Sequence, residues 1–206
     1  AEARVEKIRL GADGRPLGRP LTDTGFTGRA LACARRDGRP VVVTGSPAGV
    51  RLWDLETGEQ IGDPFIGQDD QAISTVAYVG LGPRPVLVTG AVTGDVRLWD
   101  LGTGEPIGDA LTGHTAGITA MAVCARLGTR AVLVTGSDDG TLRVWDLTTC
   151  WELGRPISDR TAVVEVVACL RLGGGHVMAM TGALDGVLRV WDLATGEPDG
   201  RPSSQH

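Results

Sequence analysis

Apolar and polar positions alternate in short runs along the whole chain, and the runs return in the same order four times. β-branched stretches ending in Thr-Gly stand at 41–45 (VVVTG), 86–90 (VLVTG), 132–136 (VLVTG) and 177–182 (VMAMTG). Each is followed by a glycine-containing turn and a second run, VRLWDL twice and then LRVWDL twice. Two strand-length runs across a tight turn predict a β-hairpin. The pairs Trp53-Asp54, Trp99-Asp100, Trp145-Asp146 and Trp191-Asp192 recur every 46 residues, so the chain reads as an array of one unit, each leaning on its neighbours.

The third unit is the clearest. Its pattern predicts four strands, roughly 105–111, 117–125, 131–136 and 141–146, joined by polar or Gly-rich turns into a small twisted antiparallel sheet. The middle strands are apolar on both faces, which a solvent-facing sheet would not tolerate, so each sheet must lie between two like itself. Radial stacking of such sheets is a β-propeller.

The residues Gly113-His114, Thr135 to Thr141 (TGSDDGT) and Trp145-Asp146 resemble the WD40 repeat, and the resemblance extends over nearly the whole chain. It implies a buried hydrogen-bond network of His114, Thr135, Asp139 and Trp145 that ties an outer loop to the inner hairpin. The other units depart from this pattern. Gln68 stands where His114 would be in the second unit and Arg160 in the fourth, while Pro47 and Thr93 replace the turn carboxylate that Asp185 keeps. The hydroxyl recurs throughout as Thr44, Thr89, Thr135 and Thr181.

The expected fold is therefore all-β, a WD40-type propeller with four four-stranded blades per chain. Residues 23–57, 58–103, 104–149 and 150–192 are the successive units and 193–206 a tail. An outer-strand segment precedes the later hairpins, GEQIGDPF at 58–65, GEPIGDAL at 104–111 and CWELGRPI at 150–157, and the tail loses that pattern. GRPLGRPL at 14–21 restores it, so residues 1–22 are expected to close the ring as the outer strand of the last sheet. WD40-type rings usually close with seven or eight blades. Three solutions follow: two chains completing an eight-bladed ring, one chain closing on itself with four, or a fragment of a longer ring.

A formal charge of -5 and a pI near 5.2 give no general attraction to nucleic acid or anionic membranes. No segment has the length and apolarity of a membrane span or a signal core, and the missing initiator methionine suggests a processed or excised segment. Cys33, Cys124 and Cys169 fall in apolar runs and Cys150 in a turn, which predicts buried thiols, with a disulfide or a metal pair as the alternatives. A reducing, cytoplasmic setting would follow.

No GxxxxGK[ST], HExxH, CxxC or GxSxG pattern is present, and no carboxylate pair is fixed at a catalytic separation. The repeated Arg51, Arg97, Arg143 and Arg189 suggest stems packed over the indoles, and Asp54, Asp100, Asp146 and Asp192 suggest turn acceptors rather than a metal cluster. Trp151, outside the Trp-Asp register, is either a rim contact or an outer-strand packing residue.

The resemblance implies a non-catalytic interaction scaffold for protein or peptide, without cofactor or metal. Gln68, Asp69, Asp70, Thr115, Asp159 and Arg160, beside His114, are the candidate contact residues on the loops. The alternative is a self-assembling structural or regulatory domain of a multidomain enzyme, associating through its end blades.

Overall fold

The computed structural model describes residues 4–5, 9–10, 16–17, 21–22, 30–47, 49–63, 72–81, 84–127, 130–158, 163–172, 176–199 and 203–204. Among these the regular structure is all strand, in several antiparallel sheets, and no helix is long and apolar enough to cross a membrane. Each major sheet has an inner, a middle and a third strand in sequence order. The first sheet comprises Ala30–Arg36, Arg39–Ser46 and Gly49–Asp54; the second, Ile73–Leu81, Arg84–Ala91 and Val96–Asp100. The third comprises Ile118–Leu127, Arg130–Ser137 and Thr141–Asp146; the fourth, Val164–Arg171, Val177–Ala183 and Val187–Asp192.

Local chemistry explains the hairpins. In the first sheet Arg36 pairs with Arg39 across Asp37-Gly38, whose φ values of 51° and 77° are the doubly left-handed pair of a two-residue turn. After each Trp-Asp the chain reverses at once. Asp54 Oδ1 accepts the N–H groups of Glu56 and Thr57, Asp100 Oδ1 those of Gly102 and Thr103, and Asp146 Oδ1 those of Thr148 and Thr149. Asp192 Oδ1 accepts that of Ala194.

That reversal corrects the assignment of outer strands. A chain that turns back immediately pairs with the strand it has just left, so each outer segment completes the preceding sheet rather than the next. Gln60 bridges Trp53, Leu111 bridges Val96, and Trp151–Glu152 with Ile157–Ser158 pairs along Thr141–Asp146. The tail does the same, for Pro198 bridges Trp191 and Ser203–Ser204 pairs with Val187 and Leu188. The fourth sheet thus has an outer strand of its own, despite the loss of apolar pattern there, because backbone pairing at an edge does not require it. Residues 1–22 were expected on that edge. The described residues of that segment pair with one another, Arg4–Val5 with Leu21–Thr22 and Arg9–Leu10 with Pro16–Leu17.

The chain divides into two compact units, Ala1–Thr89 with Trp99–Glu105, and Gly90–Leu98 with Pro106–His206. In the first, Ala30, Val41, Val43 and Leu52 pack against Val76, Leu87 and Trp99. In the second, Ala120, Val132, Val134 and Leu142 of the third sheet pack against Val164, Val167, Ala179 and Trp191 of the fourth. The glycines of two of the Thr-Gly pairs permit this stacking. A Cβ on Gly45 would stand 2.8 Å from Ile73 Cγ2, and one on Gly136 would stand 2.6 Å from Val164 Cγ1.

Cys124 and Cys169, on the inner strands of the third and fourth sheets, form a disulfide with Cα atoms 5.6 Å apart. This corrects the expectation of buried thiols, and it removes the ground on which a reducing compartment was expected. The two positions lie one residue apart in the 46-residue register, and only face-to-face stacking of the sheets reveals that they meet. Cys33 is a free, exposed thiol and Cys150 a free, half-buried one.

Candidate functional site

In every sheet the indole N–H of the Trp donates to a buried Thr hydroxyl on the middle strand. The distances are 3.0 Å for Trp53 to Thr44, 2.9 Å for Trp99 to Thr89, 2.9 Å for Trp145 to Thr135 and 3.0 Å for Trp191 to Thr181. The register makes this automatic in the third sheet, where Leu133 pairs with Trp145 and Thr135 with Arg143 on adjacent strands. A buried donor left without an acceptor would cost about 1–3 kcal/mol, which accounts for the hydroxyl at each of these positions.

In the third unit the chain of bonds continues. His114 Nε2 lies 2.7 Å from Thr135 Oγ1, and Nδ1 lies 3.0 Å from Asp139 Oδ2. Because the indole can only donate, Thr135 accepts from Trp145 and donates to Nε2, so His114 carries its proton on Nδ1 and donates it to the carboxylate. Asp139 also accepts from Thr141 Oγ1 at 2.7 Å, from the Thr141 N–H at 2.9 Å and from the Thr115 N–H at 2.9 Å. Gly113 leaves room for Arg143, whose guanidinium binds the Gly113 carbonyl at 2.7 Å and Glu152 at 2.6 Å.

The electrostatics match this reading. Burial of the fully enclosed ring pushes the His114 pKa down, against the opposing pull of the Asp139 hydrogen bond and charge. Burial pushes the Asp139 carboxyl up, but the hydrogen bonds from Thr141, Thr115 and His114 together outweigh it and hold the pKa at about 2. A neutral His and an ionised Asp, each with its donors and acceptors used, form a tether from loop to hairpin. They present no free group to a substrate.

The structure brings together His114, Thr135, Asp139 and Trp145, and places Thr115 at the exposed start of the adjoining loop. Gln68, Asp69, Asp70, Asp159 and Arg160 lie outside the described residues. In the fourth sheet Asp185 turns instead to Arg189, 2.6 Å away, which holds its carboxyl below the usual range. Trp151 is 76% exposed, so it is not an outer-strand packing residue. Among the described residues no group of three or more His, Cys, Asp or Glu is placed to hold a metal ion.

No motif along the chain marks the groove at the outer edges of the third and fourth sheets. A surface groove of ≈ 630 Å³ runs between the outer edges of the third and fourth sheets, lined by Leu153, Arg155, Ile157, Trp191, Glu197 and Asp199 among others. It arises where the segment after each Trp-Asp folds back, so its two walls come from stretches 40 or so residues apart, about one repeat.

Comparison with known proteins agrees with this geometry. Residues 104–146 match the family model for the WD domain, G-beta repeat. No curated protein matches the chain. Among solved structures, the computationally designed Ika4 protein is similar at 27% identity and a TM-score of 0.62, over 85% of this chain and 99% of that one. U3-55K is similar at 16% identity and a TM-score of 0.74, over 91% of this chain and 55% of that one, a likeness of fold alone. This chain thus spans about half the length of U3-55K.

Proposed function

We propose that this chain, which carries a WD40 repeat at residues 104–146, is a non-catalytic platform for binding protein or peptide. WD40 repeats generally mediate protein–protein interaction. The observation that carries the reading is the complete mutual engagement of His114, Asp139, Thr135 and Trp145, which spends the polar groups of the repeat on holding loops in place. What remains for recognition is surface, the loop carrying Thr115 and the groove with its mixed apolar and charged lining, together with Asp70 and Arg160, contacts expected from the sequence that lie outside the described residues.

The test is capture of a saturable partner by the immobilised chain, repeated with Asp70→Lys, Arg160→Glu and, in the groove, Arg155→Glu. Far-UV circular dichroism confirms that each variant keeps its fold. At least one change should weaken capture tenfold or more; capture indifferent to all three sinks the proposal.

A second reading, self-association through the end sheets, is favoured by the apolar face of the fourth sheet, where Val166, Leu170 and Leu188 stand open to solvent. Light scattering across a dilution series separates a stable two-chain mass, which supports it, from a one-chain mass, which rejects it.

A further inference from the structure

We infer that the open face of the fourth sheet takes the inner strand of the first sheet from a second copy, in the register by which the third sheet takes the fourth. This rests on the self-association reading and specifies its contacts.

The strand pairings set the positions in correspondence. Ala120, Cys124 and Leu142 of the third sheet occupy the places of Val166, Leu170 and Leu188 in the fourth, since Ala120 pairs with Gly136 as Val166 does with Gly182, Cys124 with Val132 as Leu170 with Met178, and Leu142 with Gly136 as Leu188 with Gly182. In the third sheet these side chains are 8%, 3% and 2% exposed, covered by the fourth sheet. In the fourth they are 60%, 51% and 38% exposed. The chain has built the covered face and left it uncovered.

The glycines mark the same vacancy. A Cβ on Gly45 or Gly136 would collide with the next sheet, at Ile73 or at Val164 and Val167 respectively. Among the described residues a Cβ on Gly182 would meet only Leu188 at 3.5 Å and Val166 at 3.8 Å, both of its own sheet and both at ordinary contact distance. A glycine is present where nothing within the fourth sheet requires one, and what it makes room for is a side chain of a following sheet.

The first sheet carries the complementary face. Leu31 pairs with Thr44 as Val167 pairs with Thr181, and Cys33 pairs with Val42 as Cys169 pairs with Ala179. Leu31 is 49% exposed and Cys33 is exposed, whereas Val167 is 8% exposed. Both faces are open in a single chain, so the occupant comes from outside it. The internal template then dictates the contacts. Leu31 of the second copy sits over Gly182 as Val167 sits over Gly136, and Cys33 of the second copy faces Leu170 as Cys169 faces Cys124. Repeating the contact by a twofold axis uses the open face of the first sheet and that of the fourth in both copies.

The decisive experiment uses Leu170→Cys in the full chain at low protein concentration, with oxidised glutathione taking up the two electrons and two protons released by the thiols. The expected product is a two-chain species on non-reducing gels, with peptide mapping that joins position 170 to Cys33. It should vanish in Leu170→Cys with Cys33→Ser. A two-chain wild-type mass by light scattering without this link overturns the register but leaves self-association standing. A one-chain wild-type mass, or a link formed within one chain, overturns the second copy itself. Gly182→Val supplies an independent check: it should keep the circular dichroism of the parent and reduce the two-chain mass to one, and an unchanged two-chain mass would overturn the inference.

Discussion

The third and fourth sheets share strand order, the Trp–Thr bond and the Asp turn, yet they use the same turn carboxylate differently. Asp139 gathers donors from His114, Thr115 and Thr141, three groups spread over a loop and a strand. Asp185, with no imidazole at the matching loop position, holds Arg189 of its own strand and the N–H of Val187. Arg143, the counterpart of Arg189, binds Glu152 on the outer strand, where the fourth sheet has Pro198 opposite its Trp. Two residue differences, the histidine and this acid, therefore accompany the two arrangements. With the histidine the carboxylate ties distant segments together; without it the same carboxylate makes a local contact within a single turn.

The largest effect that separates the two sheets comes from the bond joining them. The chain-entropy model gives about 4 kcal/mol for a loop the size of that between Cys124 and Cys169, and measured bridges typically deliver about 2–4. Cys124→Ala with Cys169→Ala should lower urea stability by that amount. It should also break the cooperativity of the pair, so that amide exchange rises along Val177–Ala183 before Arg130–Ser137. Loss of protection in both strands together would show that packing alone couples them.

Next in size, Asp139→Asn should cost about 2–3 kcal/mol in thermal or urea unfolding, because it discharges an acceptor of several bonds around a buried ring. Asp185→Asn removes an exposed pair, screened by solvent, and should leave the unfolding midpoint close to that of the parent. Equal losses at the two positions would erase the distinction between tether and local contact.

The legibility of these features in the sequence follows the same division. Repetition made the hairpins, the Thr hydroxyl and the Trp-Asp turns plain, since four copies of one local pattern leave little choice of structure. The tether at His114 was legible through the family resemblance, because its members are spread from 114 to 145 and no spacing rule links them. What could not be read depended on which sheet an edge strand joins and on what lies across a sheet face. The outer segments went to the preceding sheet because Asp54, Asp100, Asp146 and Asp192 fold the chain back, a matter of turn hydrogen bonds rather than apolar pattern. The Cys124–Cys169 bridge and the groove both arise between sheets, where sequence distance carries no signal.

The smallest prediction isolates the imidazole itself. Replacing His114 by Gln, the residue the second unit carries there, should cost about 1–2 kcal/mol through imperfect bonding to Thr135 and Asp139. Its sharper signature is in pH. The folded-state pKa of His114 lies below its ordinary value of 6.5, so the unfolded chain binds more protons and stability falls as pH drops through 6.5 toward the folded value. Asp139 acts in the same direction in a lower window, its contribution being complete above 3.8 and lost as pH falls toward about 2. The parent protein should therefore lose stability in two acid limbs. His114→Gln should flatten the upper limb and keep the lower, Asp139→Asn should shrink the lower without abolishing it, since the carboxyls of Asp185 and Asp192 are also held below 3.8, and Asp185→Asn should leave the upper limb untouched. An upper limb that survives His114→Gln would mean that another group titrates there, and the tether would lose its claim to be what sets the third sheet apart.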